Sequence, residues 1–134
     1  MQKKWYFCTR FWGMSNTHLV ISTANELLRV PAKHIIYISS DGNYSNLLLQ
    51  GGEMRMVTFQ LGQIERMIAD QLPDVGKTFI RIGKSLIINV NNVFSINVSR
   101  QQLILVDNAQ GHYTLSASKE ALKALKEYIE KEGI

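Results

Sequence analysis

The amino-acid sequence predicts a mainly β fold, with elongated antiparallel sheets and two covering helices, and three observations carry that prediction. Branched and aromatic residues recur in short runs at close spacing, glycine and asparagine fall between the runs at turn positions, and helical periodicity is confined to two segments. Strands and helices do not alternate, which argues against a doubly wound nucleotide-binding sheet. At 134 residues, 46% apolar and 19% charged, the chain is long enough for one domain with a real core and too short for two ordinary ones.

Each element has its own local cause. His18 to Thr23 and Glu26 to Val30 read as strands joined at Ala24-Asn25. His34 to Ser40 and Tyr44 to Gln50 flank Asp41-Gly42-Asn43, where Gly42 can take a positive φ. Gly51-Gly52 leads into Glu53 to Thr58, and a glycine pair between two strand patterns is a strong hairpin signal. The spacing then turns helical: Leu61, Ile64, Met67, Ile68 and Leu72 share a face, Thr58 is placed to cap the start and Pro73 follows the end. Gly62 weakens this helix by about 1 kcal/mol. Phe79 to Asn89 is a short apolar strand pattern carrying Arg81, Lys84 and Ser85 and closing on an asparagine. Val93 to Val98 and Gln102 to Val106 form a hairpin turned at Ser99-Arg100-Gln101, and His112 to Leu115 is a further strand after Asp107-Asn108. The last helix runs from its cap Ser118 to about Lys131, with Ala121, Leu122, Leu125 and Ile129 on one face.

Charge is modest in total, +4, but locally one-sided: the window from Lys77 to Arg100 contains Lys77, Arg81, Lys84 and Arg100 and no acidic residue. Such a patch suits a polyanion such as DNA, although isolated exposed Lys and Arg also serve solubility. Cys8 is the only cysteine and His18, His34 and His112 lie far apart, so no common zinc spacing exists and no metal or other cofactor is expected. Glycine-rich phosphate loops and nucleophile motifs are absent as well, so no catalytic residue is assigned and the chain is not read as an enzyme. Arg10 breaks the initial apolar run and no small-residue cleavage site follows, which reads as an uncleaved start. No apolar stretch reaches the roughly 18 residues a membrane helix needs. The expectation is a cytoplasmic protein without a membrane partner. Trp5, Tyr6, Phe7, Phe11 and Trp12, with Lys3, Lys4 and Arg10, form an aromatic and basic arm that could meet a partner, a second copy or its own domain.

Three turns place polar groups beside strand or helix ends. Asn43, Tyr44, Ser45 and Asn46 follow Asp41-Gly42, Lys84-Ser85 interrupts the basic strand pattern, and Ser118-Lys119 opens a helix whose free N–H groups favour an anion. Each alone is an ordinary solvated turn or cap. Together they suggest a surface that touches phosphates and base edges.

The same residues resemble a known family. Ile35-Ile36-Tyr37-Ile38-Ser39-Ser40-Asp41-Gly42-Asn43-Tyr44, Phe79-Ile80-Arg81-Ile82-Gly83-Lys84-Ser85-Leu86-Ile87-Ile88-Asn89 and Leu115-Ser116-Ala117-Ser118-Lys119 are similar, in that order, to three blocks of the LytTR DNA-binding domain of bacterial transcription regulators. The likeness spans about Leu27 to Tyr128. It divides the chain into an arm with the first strand, residues 1–26, and a LytTR-like DNA-binding domain, residues 27–134. Gly83, Ser116 and Lys119 depart from the family's usual histidine, proline and arginine. A lysine in place of a bidentate arginine keeps phosphate contact and alters base reading. The resemblance implies double-stranded DNA as partner, read in successive major grooves by Asn43, Tyr44, Ser45, Arg81, Lys84, Ser85, Ser118 and Lys119, with two copies on repeated elements or a homodimer. Asn89 is implied to be structural. Relatives usually carry a second domain; about 26 residues precede the likeness here, too few for a receiver, so the expectation is a stand-alone regulator or a fragment. The competing reading is a protein-interaction β module that uses a sheet edge and the aromatic arm.

Overall fold

The computed structural model describes residues 17–132. The aromatic and basic arm and Cys8 lie outside the described residues. Among those residues, ten strands form three antiparallel sheets accompanied by two α-helices, as the turn spacing predicts. β1 (His18–Ser22) and β2 (Leu27–Pro31) pair as a hairpin. β3 (Ile35–Asp41), β4 (Tyr44–Leu49), β5 (Met54–Val57), β6 (Phe79–Ile82) and β7 (Leu86–Asn89) build a central sheet in the order β5-β4-β3-β7-β6. β8 (Val93–Asn97), β9 (Gln102–Val106) and β10 (His112–Ser116) form a third sheet in the order β10-β9-β8. α1 (Leu61–Gln71) and α2 (Lys119–Glu132) complete the chain.

The central sheet is buried on both faces, which explains why its strands read as continuous apolar runs instead of an alternation. In β4, Leu47 and Leu49 join a core with Leu19 and Ile21 of β1, Val30 of β2 and Ile64 and Ile68 of α1. Leu48, between them, points to the opposite core, where Ile36, Leu86 and Ile88 meet Leu103 and Leu105 of β9 and Leu122 and Leu125 of α2. The helices therefore cover opposite faces. Burying each such Leu or Ile contributes about 1.5–3 kcal/mol, so both layers are needed to hold the central sheet in place. A bulge in β3 between Ile35 and Tyr37 turns Ile36 and Tyr37 toward the same core.

Three local expectations need correction. β1 pairs with β2 and feeds the same core, so the division between residues 26 and 27 cuts a hairpin and the first strand belongs to the folded unit. Phe79 to Asn89 is a hairpin of β6 and β7, with Phe79 opposite Asn89 and Ile82 opposite Leu86. Gly83 sits at its turn with φ +64°. The cap of α1 is Gln60 instead of Thr58: its side chain accepts from the Gln63 backbone while Gln63 Oε1 accepts from the Gln60 N–H at 2.8 Å. A long amide two residues on reaches the first orphan N–H groups as a hydroxyl would, and returns the bond reciprocally. Asn89 is structural, as its position implies: buried, it donates to the Ile35 carbonyl at 3.0 Å and accepts from the Asn91 N–H at 3.1 Å.

Candidate nucleic-acid interface

The β3–β4 turn and the β6–β7 turn emerge at the same end of the central sheet because β3 and β7 are direct neighbours. Ser39 pairs with Leu86, and one residue further the Ser40 N–H donates to the Ser85 carbonyl at 2.8 Å. Beyond that bond the chain leaves the sheet on both sides, through Asp41-Gly42-Asn43 and through Gly83-Lys84-Ser85. Asn43 is exposed, and its Oδ1 accepts from Gln60 Nε2 at 3.2 Å. The cap residue of α1 thus also fixes the turn, leaving the Asn43 NH2 directed to no protein acceptor among the described residues. Tyr44 is 45% exposed at the same turn.

Ser45 is different. It is fully buried and its hydroxyl donates to the Phe59 carbonyl at 2.8 Å, so it has no surface to offer a ligand. The period of two along β4 explains this, since Tyr44 and Ser45 must face opposite ways. Ser45 anchors the segment leading to Gln60 and is removed from the exposed part of the turn.

Arg81 is likewise committed inside the protein. One guanidinium nitrogen donates to Glu65 Oε1 of α1 at 2.8 Å and the other to the Lys84 carbonyl at 3.0 Å. Its charge is neutralised and its side chain is only 29% exposed. Gly62 lies beneath it: a Cβ there would stand 3.8 Å from the Arg81 guanidinium. The arginine braces the β6–β7 turn, and Lys84 and Ser85, both exposed, form the outward part of that loop. A guanidinium fork held at two points fixes a turn in a way a point charge could not.

The start of α2 forms the third part. Ser118 caps the helix, its Oγ accepting from the Ala121 N–H at 3.1 Å, and Lys119 is the first helical residue, exposed beside it. A groove of about 320 Å³ lies between this start and the β6–β7 turn, lined by Ser39, Ser40, Gly83, Ser85, Ser116 and Ser118 among others. The three predicted loops therefore converge at one end. Lys84 and Lys119 make no ion pair with any described residue.

Three contributors escaped the sequence reading. Gln60 and Glu65 hold Asn43 and Arg81 across 17 and 16 residues of chain, relations that no local pattern reveals. The Ser99-Arg100-Gln101 turn is the hairpin bend its spacing predicts, and it also reaches the α2 start, where Ala117 and Gln101 are joined by two hydrogen bonds. Among the described residues no cluster of His, Cys, Asp and Glu could hold a metal ion, and no helix is long and apolar enough to cross a membrane.

The domain is mainly β and gathers exposed basic and amide-bearing turns at one sheet end. Residues 25–130 match the LytTr DNA-binding domain family, and the chain belongs to that family. In fold it is similar to the LytTr DNA-binding domain of a protein described as a methyl-accepting/DNA response regulator from Bacillus cereus. That likeness has a TM-score of 0.57 at 17% identity, covering 83% of this chain and 94% of that one. No curated protein matches the chain. The protein is thus a DNA-binding domain of the kind used in transcription regulation.

Proposed function

We propose that this chain is a sequence-specific regulator that reads the major grooves of double-stranded DNA through its loops. Asn43 and Tyr44 enter from the β3–β4 turn, Lys84 and Ser85 from the β6–β7 turn, and Ser118 and Lys119 from the start of α2; Arg81 holds the middle loop in place. The observation that carries this reading is the convergence of these loops around the Ser40–Ser85 bond and the adjoining groove. Amides, hydroxyls and unpaired lysines in rigid turns are the groups that donate to phosphates and base edges. The protein works in the bacterial cytoplasm, takes no cofactor and catalyses no reaction.

Selection from random duplex DNA followed by footprinting tests it. The expected result is one enriched short element with protections at the grooves facing the loops; recovery of unrelated sequences with no common element would defeat the specific reading. The rival interaction module has one observation in its favour, the outer edge of β5, where Met54 is 47% and Met56 60% exposed. If Met56→Lys abolishes the protein's binding while Lys84→Ala leaves it intact, the rival stands instead.

A further inference from the structure

We infer that Arg100 contacts a DNA phosphate beside the groove entered by the start of α2, making the β8–β9 turn a fourth DNA-contacting loop. The inference rests on the DNA-binding reading above. Its basis is the way the turn is held. Asn97 Oδ1 accepts from the Arg100 N–H and from Ser99 Oγ, each at 3.0 Å, and the Gln101 N–H donates to the Val98 carbonyl at 3.2 Å. Gln101 takes a left-handed φ of 56°. An asparagine that bonds its own turn fixes the backbone of the residues after it, so Arg100 is presented from a defined point.

That point adjoins the reading surface. The Ala117 N–H donates to the Gln101 carbonyl at 3.4 Å, and Gln101 Nε2 donates to the Ala117 carbonyl at 3.3 Å, tying the turn to the residue before Ser118. The groove between the β6–β7 turn and α2 is lined by β10 residues and by none of β8 or β9. The β8–β9 turn thus flanks the groove, and a DNA backbone passing beside that groove would meet it. Arg100 is exposed and makes no ion pair with any described residue, unlike Arg81. An unneutralised guanidinium beside the duplex suits bidentate contact with a phosphate.

Binding of Arg100→Gln is measured across a series of salt concentrations on two duplexes, one enriched by the wild-type protein from a random pool and one unrelated. Lys131→Gln, at the far end of α2, is the control, and circular dichroism checks the fold. The expected slope of log K against log salt becomes shallower by about 0.9 for Arg100→Gln on both duplexes, is restored by Arg100→Lys and is unchanged by Lys131→Gln. A wild-type slope in Arg100→Gln, or a loss confined to the enriched duplex, overturns the phosphate contact while leaving the DNA-binding reading intact. Failure of the wild-type protein to bind either duplex overturns both.

Discussion

Arg81 and Glu65 meet at 2.8 Å, and the same guanidinium reaches the Lys84 carbonyl at 3.0 Å, so one side chain couples helix α1 to the loop that carries the exposed lysine. The basic strand residue of the sequence pattern is therefore part of the scaffold. Its Nε is buried with no acceptor among the described residues, which leaves the geometry dependent on these two contacts.

Arg81→Ala should weaken DNA binding by about tenfold, equal to ~1.4 kcal/mol, by releasing the Lys84 loop. The salt slope should stay at the wild-type value, because a guanidinium already neutralised by Glu65 releases no counterion. Glu65→Gln should cost at most about 1 kcal/mol of stability, the ordinary worth of a partly exposed ion pair. Anisotropy titrations across salt check the first claim: a slope shallower by about one unit would make Arg81 a phosphate contact after all.

Ser45 and Asn43 should separate cleanly. Ser45→Ala leaves the Phe59 carbonyl without its buried donor, and the expected loss is about 1–3 kcal/mol of unfolding free energy with DNA affinity of the folded protein unchanged. Asn43→Ala should do the reverse, lowering affinity while leaving stability within about 0.5 kcal/mol. Urea unfolding paired with binding measurements decides it, and an affinity loss in folded Ser45→Ala would return that residue to the interface.

At the other end of the sheets, Asp107 accepts from Tyr113 Oη at 2.7 Å, from the Gly111 N–H at 2.6 Å and from the Ala109 N–H at 2.9 Å. The Tyr113 hydroxyl, followed by these amides, holds the carboxyl below its ordinary value of 3.8, and the same bond raises Tyr113 above 10.0. A depressed carboxylate stabilises the fold above its unfolded pKa and loses that contribution as pH falls through the folded value. A raised phenol acts oppositely, its contribution present below 10.0 and lost as pH climbs through the folded value. Stability should therefore decline below pH 3.8 and again above pH 10.0, and Asp107→Asn should flatten the acid limb. Unfolding curves collected against pH check it; an acid limb unchanged in Asp107→Asn would assign that limb to other carboxylates.

Both helices and the strands other than the β6–β7 pair are legible in the sequence because their causes are local: branched runs, glycine turns and a helical face formed by Leu61, Ile64 and Ile68. What the sequence does not show is direction across the sheet. Ser45 looked like part of a polar turn, and only its pairing within β4 sends it into the core. For Arg81 the strand position allows either bracing or phosphate contact, and its partner Glu65, on another element, is what the local pattern does not reveal. Arg100 lay in a turn correctly read as a turn, while its nearness to Ala117 depends on how β10 returns beside β9. Local chemistry was legible, and the commitments made by tertiary contacts were not.

A single module of this size buries on the order of 600 to 1,000 Å² of protein surface on DNA, which limits the affinity of one copy. The outer edge of β5 carries the exposed Met54 and Met56, an apolar area that a neighbouring copy on the duplex can cover. Two copies on repeated elements are the expected bound form. Mass measurement of the complex on duplexes carrying one or two elements tests this: the second element should raise both the stoichiometry and the apparent affinity, and Met56→Lys should reduce the affinity gain without weakening the single-site complex. A tight one-to-one complex that gains nothing from the second element would refute pairing and leave the module acting alone.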